Sequence, residues 1–338
     1  MMEYKDTIYA PVVIPTLCRY EHLKRCITTL SVCKGADETE LYIGLDYPAN
    51  ESHYKGYGEI CNYLPTITGF KDVHIIRYEK NVGALNNVKH LFDIVKTKHT
   101  CYIYSEDDNE FSPNFLEYMN AGLSKFQDNE DVIAICGCVD PKCDSELLTV
   151  YPNNAFPMMG YNAWGVGVWF DKKPSFSFTS DDILLSFMNI YKIFKSNHSI
   201  TLHRLMYRKR SNLIGDLQWR IYCVVNKKFC IFPKVPKVRN WGFDGSGNTC
   251  TVMSSYSKIK IDENDSFIFD DFEIKLNDKI SKLQKSIYGL SGIYFIAFVI
   301  EYLLFRITGG LCFQDIKIIR KLMNLRVKRI NSSILDKS

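Results

Sequence analysis

Apolar runs alternate with amphipathic segments along the first 140 residues of the chain. Two segments, residues 21–32 and Ala84–Val95, repeat apolar positions every three or four residues, which is typical of helices. Five apolar runs have the length of buried strands: residues 8–14, 40–45, 72–78, 101–104 and 131–138. Strands and helices alternating at this spacing predict an α/β fold, a Rossmann-like, mostly parallel sheet flanked by helices.

The pattern is less regular after residue 138. An aromatic-rich stretch extends to Trp169, and helices are predicted at residues 181–194 and 211–226. A short strand is predicted at residues 229–232, and a glycine-punctuated loop follows at residues 240–250. The composition changes near residue 256. We therefore expect a catalytic-type domain over residues 1–255 and a helical C-terminal extension over residues 256–338.

Composition and charge narrow the class of protein. A hydrophobic fraction of 46% with 24% charged residues is typical of a globular protein with a large core. The net charge of +4 is too small to indicate a nucleic-acid partner. The twelve cysteines have irregular spacing, and the N-terminal residues lack the pattern of a secretory signal. These features predict reduced cysteines and a cytoplasmic location.

The most informative chemistry is an acidic run. Glu106, Asp107 and Asp108 directly follow the apolar residues Cys101–Tyr104, and Ser112-Pro113 then opens a new helix. Adjacent carboxylates repel one another, so a fold keeps them together mainly where a cation binds. Mg²⁺ or Mn²⁺ carrying a diphosphate would suit such oxygen ligands. A solvated acidic turn is the alternative.

Other polar residues also follow predicted strands. Thr16 and Arg19 come after the first strand, Asp46 after the second, and Asn81 and Gly83 after the third. Ligands of parallel α/β sheets bind at the carboxyl ends of the strands. The pattern therefore predicts one binding site at that edge, together with the acidic run.

The order of these motifs resembles a known family. Pro-x-x-Ile-Pro-Thr with a nearby Arg, Asn-x-Gly before a helix, Glu-Asp-Asp-x-x-x-Ser-Pro-x-Phe and Asn-x-Gly-Phe-Asp-Gly-Ser-Gly occur in this order over residues 8–255. This arrangement resembles bacterial GT-A-fold glycosyltransferases of the family 2 type. The acidic run is also similar to that of the N-acetylglucosaminyltransferase I family.

The resemblance implies an activity and partners. It implies an inverting hexosyl- or N-acetylhexosaminyltransferase that uses a nucleotide-diphosphate sugar, UDP-linked in the simplest case. The acceptor would be a glycan or a lipid-linked sugar of bacterial surface polysaccharide synthesis.

The resemblance also implies roles for the residues of the donor site. Thr16 and Arg19 would contact the nucleotide, and Asp46 would accept a hydrogen bond from the base. Asn81 and Gly83 would line the pocket, where glycine permits close backbone approach.

The acidic run would form the metal site of the resembled family. Asp108 would bind the divalent cation, Mn²⁺ or Mg²⁺, while Glu106 and Asp107 would face the sugar and the ribose. Many relatives have a histidine near the end of the Asp-Gly-Ser-Gly loop, a second metal ligand. Thr249 stands there in this chain, and no histidine follows His203.

Two acids are candidates for the base that takes the acceptor proton. Asp216 matches the catalytic acid of the family, although an Asp at this place is equally explained as a helix N-cap. Asp244, in the glycine-rich loop, is the second candidate. The aromatic residues of 160–165 resemble the acceptor-side loop of the family, and a plain core role is the alternative.

The C-terminal extension contains an apolar run over residues 287–305, interrupted by Glu301. A basic segment, residues 317–329, follows with six cations and no acid. A helix at a membrane surface, a helix completing the core or a dimer interface would each explain this pattern. A transmembrane span would place Glu301 within the bilayer at high cost.

Two other functions remain open at this point. A catalytically silent nucleotide-sugar-binding or scaffold protein is consistent with the missing histidine. A nucleotidyltransferase is disfavoured because no glycine-rich phosphate loop with Arg or Lys follows the first strand.

Overall fold

The computed structural model describes residues 9–143, 145–175, 180–207, 215–245, 258–313 and 316. The chain divides into two compact units, residues 1–175 with 226–287 and residues 176–225 with 288–338. The expected domain boundary at residue 255 lies outside the described residues and stays a prediction. The contacts group residues 258–287 with the first unit.

The described part of the first unit contains ten strands. They are β1 (Val12–Thr16), β2 (Glu40–Leu45), β3 (Asp72–Arg77), β4 (Cys101–Tyr104), β5 (Asn109–Phe111), β6 (Val132–Cys136), β7 (Ala155–Met158), β8 (Val166–Trp169), β9 (Phe229–Pro233) and β10 (Val238–Asn240). Eight of them form one sheet in the order β3-β2-β1-β4-β8-β6-β9-β7, and β5 pairs with β10. The pairings of β1 with β2 and β4, of β2 with β3 and of β6 with β9 are parallel.

Helices connect and flank these strands. They are α1 (Tyr20–Ser31), α2 (Tyr54–Tyr63), α3 (Ala84–Val95), α4 (Phe115–Lys125), α5 (Ser145–Thr149), α6 (Ser180–Leu184), α7 (Phe187–Lys195), α8 (Ser199–Tyr207), α9 (Gly215–Asn226), α10 (Asp278–Tyr288) and α11 (Gly292–Thr308). The predicted α/β class with a mostly parallel sheet and flanking helices is confirmed.

The amphipathic pattern of α1 explains how the core forms. Leu23, Cys26, Ile27 and Leu30 recur at helical spacing and are all buried against the sheet cluster. Apolar side chains of β1 and β2 complete this cluster, in which Ile14 is fully buried. Burial of this face fixes the loop between β1 and α1 at the end of the sheet.

The strand order creates a switch point beside β1. The chain runs from β1 outward to β2 and β3, then returns to place β4 on the other side of β1. Both neighbours of β1 are parallel to it. The order of the strands reverses between β1 and β4, and the carboxyl ends of two such neighbouring strands are the usual ligand site of these sheets.

An arm without helix or strand, residues 258–277, packs onto the first unit. Phe267 and Phe269 lie against the ring of Tyr118, with centroid distances of 4.9 and 5.3 Å. A buried ion pair joins Asp262 of the arm to Lys237, and both side chains are nearly inaccessible. Asn114 donates a further hydrogen bond of 3.0 Å to Asp262.

The second unit is helical in its described residues. The single helix predicted over residues 181–194 is wrong, because Leu185 and Ser186 separate α6 from α7. The Ser186 side chain accepts a hydrogen bond from the Asn189 amide and so begins α7 as an N-cap. No single described helix is long and apolar enough to cross a membrane, although α10 and α11 with their bend pass that test as a pair.

The Lys237–Asp262 pair generates a stability prediction. Asp262→Ala should lower the free energy of unfolding by about 3–5 kcal/mol, because it leaves the buried Lys237 charge without its partner. Urea denaturation measures this loss. The control is Asp271→Ala, which removes the fully exposed partner of Lys125. It should leave stability essentially unchanged, and similar losses in the two variants would contradict the prediction.

Candidate functional site

Four of the predicted site residues meet where β1 and β4 end. Thr16 Oγ1 donates a 2.8 Å hydrogen bond to Asp107 Oδ2. Arg19 donates to the other oxygen of Asp107, and its Nη1 lies 2.8 Å from Asp108 Oδ2. Asp107 and Asp108 are only 5% and 6% exposed, so they do not belong to a solvated acidic turn.

The electrostatics of this cluster follow from burial and pairing. Burial opposes the charged form of Arg19, but Asp107 and Asp108 outweigh it and raise the pKa of the guanidinium. Burial raises the pKa of Asp107, while Arg19 opposes that shift and Asp108 adds to it. One guanidinium facing two carboxylates leaves an excess of negative charge when both acids are ionised. A bound cation would neutralise that excess.

Asn240 is a site residue to which sequence reasoning gave no role. The antiparallel pairing of β10 with β5 sets Asn240 opposite Asn109, directly after the acidic run. Its Nδ2 donates to Asp108 Oδ1 at 2.6 Å and to Asn109 Oδ1 at 2.9 Å. Its position in the Asn-x-Gly-Phe-Asp motif was the sequence feature that could have indicated a role. The contact with Asp108, however, joins residues more than 100 positions apart in the sequence.

Gly242 lies so close to Asp108 that no side chain fits. A Cβ atom at this position would lie 2.1 Å from Asp108 Oδ2. The Trp241 amide donates a 2.9 Å hydrogen bond to the Asp108 carbonyl. Glycine is therefore required for the loop to pass over the acidic run.

Asp244, the second candidate base, lies in the same loop beside α1. Its Oδ2 is 3.0 Å from Nε2 of His22, a residue that sequence reasoning missed. His22 follows Arg19 by three residues, and helical spacing was the signal that could have placed it near the site. The Asp244 side chain is half exposed, so it is open to a ligand while held by His22.

Asp46 organises the loop that precedes α3. Its carboxylate accepts hydrogen bonds from the amides of Tyr47, Val82 and Gly83 at 2.8–2.9 Å. The Asn81 side chain donates a fourth, at 3.2 Å. These four hydrogen bonds occupy the acceptor sites of the carboxylate, so the predicted hydrogen bond from the nucleotide base would have to replace one of them. That contact stays a prediction.

Gly83 begins α3 with a backbone that favours glycine. Its φ is 79°, and no atom lies within 4 Å of the place where a Cβ would be. The space beside Gly83 is therefore open to a ligand that approaches the backbone. Glu106, the first acid of the run, is partly exposed, with Oε2 3.4 Å from Nδ2 of Asn240.

Asp216 belongs to the second unit, in the first turn of α9. It lies 3.9 Å from Arg220 one turn later. Burial raises the pKa of Asp216, and Arg220 and Arg204 oppose the shift. Its predicted role as base stays a prediction, and Thr249, which replaces the expected histidine, lies outside the described residues.

The oxygen ligands of the cluster suit a divalent cation that arrives with its own ligands. Among the described residues, no group of three or more His, Cys, Asp or Glu side chains is arranged to hold a metal ion. Magnesium is commonly bound by one or two carboxylates together with substrate phosphates. Asp108 fits that pattern, since its carboxylate is buried beside a second acid. A cation there would share Asp108 with Arg19 and Asn240.

Comparisons with known proteins give structural neighbours only. No protein-family model and no curated protein matches the chain. One similar structure is the mannosyltransferase PcManGT from Pyrobaculum calidifontis in complex with GDP-Man and Mn²⁺, at 10% identity and a TM-score of 0.37, covering 64% of this chain and 71% of that chain. Another is the apo form of mouse xyloside xylosyltransferase 1, at 10% identity and a TM-score of 0.34, covering 65% of this chain and 83% of that chain. A third is TarS from Staphylococcus aureus, at 12% identity and a TM-score of 0.27, covering 37% of this chain and 20% of that chain.

The bonds to Asp46 generate a second prediction. Asp46→Ala should lower the free energy of unfolding by at least about 1.5–3 kcal/mol, the contribution of one hydrogen bond to a charged group. Amide hydrogen exchange at Val82 and Gly83 should accelerate in Asp46→Ala. Asp46→Asn keeps one acceptor oxygen, so its exchange rates should lie between those of the original chain and of Asp46→Ala. Asp72→Ala, which removes an exposed acid of β3, is the control. Unchanged exchange at both amides in Asp46→Ala would contradict this account.

Proposed function

We propose that the chain is an inverting glycosyltransferase that uses a nucleotide-diphosphate sugar, UDP-linked in the simplest case. The observation that carries the proposal is the cluster of Thr16, Arg19, Asp107 and Asp108 at the switch point of the sheet. This is the position where α/β sheets bind nucleotides. The resemblance of the motif order to GT-A glycosyltransferases supports the same donor class.

The charges of the cluster suit a diphosphate leaving group. Asp108 would hold Mn²⁺ or Mg²⁺, which supplies positive charge to neutralise the diphosphate as the glycosidic bond breaks. Arg19 adds a permanent positive charge, since a guanidinium stays protonated at physiological pH, and its two carboxylate neighbours raise its pKa further. Asp46 holds the Asn81–Gly83 loop, and the open space at Gly83 permits a donor to contact the backbone.

The acceptor hydroxyl needs a base for direct displacement. Asp216 is the first choice, because burial raises its pKa and so makes its carboxylate a better proton acceptor. Asp244 is the second choice, because it belongs to the loop that crosses Asp108 and contacts His22. Either carboxylate would need to reach the acceptor oxygen at hydrogen-bond distance.

The acceptor in this proposal is a glycan or a lipid-linked sugar of bacterial surface polysaccharide, extended in the cytoplasm. Trp164 of the aromatic loop packs edge-on against Phe243, with ring centroids 5.7 Å apart. Phe243 directly precedes Asp244, so aromatic surface and a candidate base occupy the same part of the first unit. Aromatic rings of this kind suit the apolar face of a sugar.

One observation favours a catalytically silent nucleotide-sugar-binding protein as the second candidate. Arg19 Nη1 lies 2.8 Å from Asp108 Oδ2, so a positive charge already pairs with the carboxylate that would hold a cation. A protein in which Arg19 took the place of the cation would hold a nucleotide sugar through contacts that need no metal, such as the open backbone at Gly83. It would bind donors without requiring Mn²⁺ and would release no nucleoside diphosphate.

Thermal unfolding with a panel of nucleotide sugars, with and without Mn²⁺, tests the proposal. One donor should raise the melting temperature in the presence of Mn²⁺, since a ligand at 100 times its Kd stabilises the fold by about 2.7 kcal/mol. Asp108→Ala should remove the Mn²⁺-dependent part and abolish transfer, whereas Asp37→Ala, at an exposed acid, should behave like the original chain. Equal stabilisation with EDTA and no turnover would support the silent alternative, and no stabilisation by any donor would overturn both.

The base assignment gives a separate prediction. Asp216→Asn should lower turnover by roughly 10²–10⁴-fold, the usual range for loss of a general base, with donor affinity little changed. Asparagine keeps the shape of aspartate but cannot take the proton. Release of nucleoside diphosphate measures turnover. Unaltered turnover in Asp216→Asn, together with a loss in Asp244→Asn, would assign the base to Asp244.

A further inference from the structure

Helix α11 carries an exposed aliphatic stripe on the surface of the second unit. The stripe is formed by residues that recur every three or four positions: Ile293, Ile296, Ile300, Leu303 and Ile307. Their side chains are between 54% and 83% exposed. At about 1.5 Å per residue the stripe is about 21 Å long. An uninterrupted apolar face of this length on a protein surface indicates an interaction site.

The opposite face of α11 is buried in the second unit. Phe298 and Phe305 are each 2% exposed, and the Phe298 ring lies 5.7 Å from that of Phe194 in α7. The helix is therefore apolar on both sides, and the part of the chain that the structure describes covers only one of them. Folding of the second unit alone does not explain the second apolar face.

Glu301, the only acid of α11, is on the buried face. Its carboxylate lies 3.3 Å from His203 Nε2 and accepts a 2.7 Å hydrogen bond from the Phe313 amide. The exposed stripe consequently contains no acidic group. The objection that Glu301 raises against contact with lipid applies to a spanning helix, and not to a helix that lies on the surface with this face turned inward.

Helix α7 enlarges the apolar surface beside the stripe. The Arg306 guanidinium lies 4.8 Å above the Phe187 ring, and Phe194 packs edge-on against Phe295 at 6.0 Å. These contacts set α7 alongside α11. Exposed apolar side chains of α7 are Phe187, Met188 and Tyr191.

Cations border the stripe, while two exposed acids, Asp181 and Asp182, lie in α6 before α7. Arg306 and Lys195 flank the apolar side chains, and Lys195 Nζ lies 5.7 Å from the Tyr191 ring centroid. Residues 317–329, which lie outside the described residues and enter only by their sequence, contribute six cations and no acid. Cations next to an apolar surface match anionic lipid headgroups next to hydrocarbon. A second copy of the chain would bring the same cations and would be repelled.

We propose that the α7–α11 surface docks onto an anionic lipid bilayer, with α11 lying in the plane of the membrane and its stripe inserted among the acyl chains. The basic residues 317–329 would add attraction to the headgroups. Such docking goes beyond sugar transfer and does not depend on it. It would bring the protein to lipid-linked molecules at the membrane surface.

Co-sedimentation of the full chain with vesicles tests the proposal. The chain should bind vesicles of phosphatidylcholine with phosphatidylglycerol at low salt, and bind pure phosphatidylcholine much more weakly. Ile300→Glu/Leu303→Glu should weaken binding by roughly 10- to 100-fold, because it removes apolar contact and adds charge that the lipid repels. The matched control, Val32→Glu/Ile268→Glu, places two acids at exposed apolar positions of the first unit and should bind normally.

Further arms separate the apolar and ionic contributions. Ile300→Ser/Leu303→Ser changes no charge and should also weaken binding. Deletion of residues 317–338 should reduce the preference for anionic vesicles, because Arg306 and Lys195 remain. Thermal unfolding confirms that each variant folds. Equal binding by the stripe variants and the original chain would overturn the proposal. So would the absence of vesicle binding together with a dimer, seen in sedimentation, that the stripe variants abolish.

Discussion

A buried ion cluster of one guanidinium and two carboxylates ties three segments of the first unit together. Asp107 and Asp108 are almost inaccessible, and burial of a carboxylate is costly unless it is paired and hydrogen-bonded. Arg19 supplies the charge for both acids, and Thr16 and Asn240 supply one hydrogen bond to each. The β1–α1 loop, the end of β4 and the end of β10 must therefore hold their positions together, or a carboxylate loses its partner.

The sheet topology explains why these residues come together from distant parts of the sequence. The parallel pairing of β1 with β4 aligns their carboxyl ends, so the loops after Thr16 and Tyr104 emerge side by side. The antiparallel pairing of β5 with β10 then closes the site from the other side. Gly242 permits this closure, because any side chain there would collide with the Asp108 carboxylate. The ion cluster therefore depends on two strand pairings, β1 with β4 and β5 with β10.

Sequence reasoning predicted the parts of the fold whose patterns are local. The strands Glu40–Leu45 and Cys101–Tyr104 and the helix Ala84–Val95 have the predicted bounds, because each has a clear period and a polar or glycine boundary. The strands β7 and β8 were missed, since they lie in an aromatic-rich stretch without alternation. The partnership of Asn240 with Asp108 was missed for a different reason. It depends on a pairing between strands far apart in sequence, which periodicity does not encode.

In helix α11, the position of a single residue, Glu301, decides how the apolar run is interpreted. In the sequence, Glu301 interrupts the apolar run of residues 287–305, and a buried helix, a surface helix and a dimer interface would each explain the pattern. In the fold, His203 and the Phe313 amide hold Glu301 inside the second unit. The carboxylate that argued against lipid contact is therefore held within the second unit, and its helix turns an acid-free face outward. An apolar face that the described residues leave exposed is typical of an interaction site, and the adjacent cations favour an anionic partner.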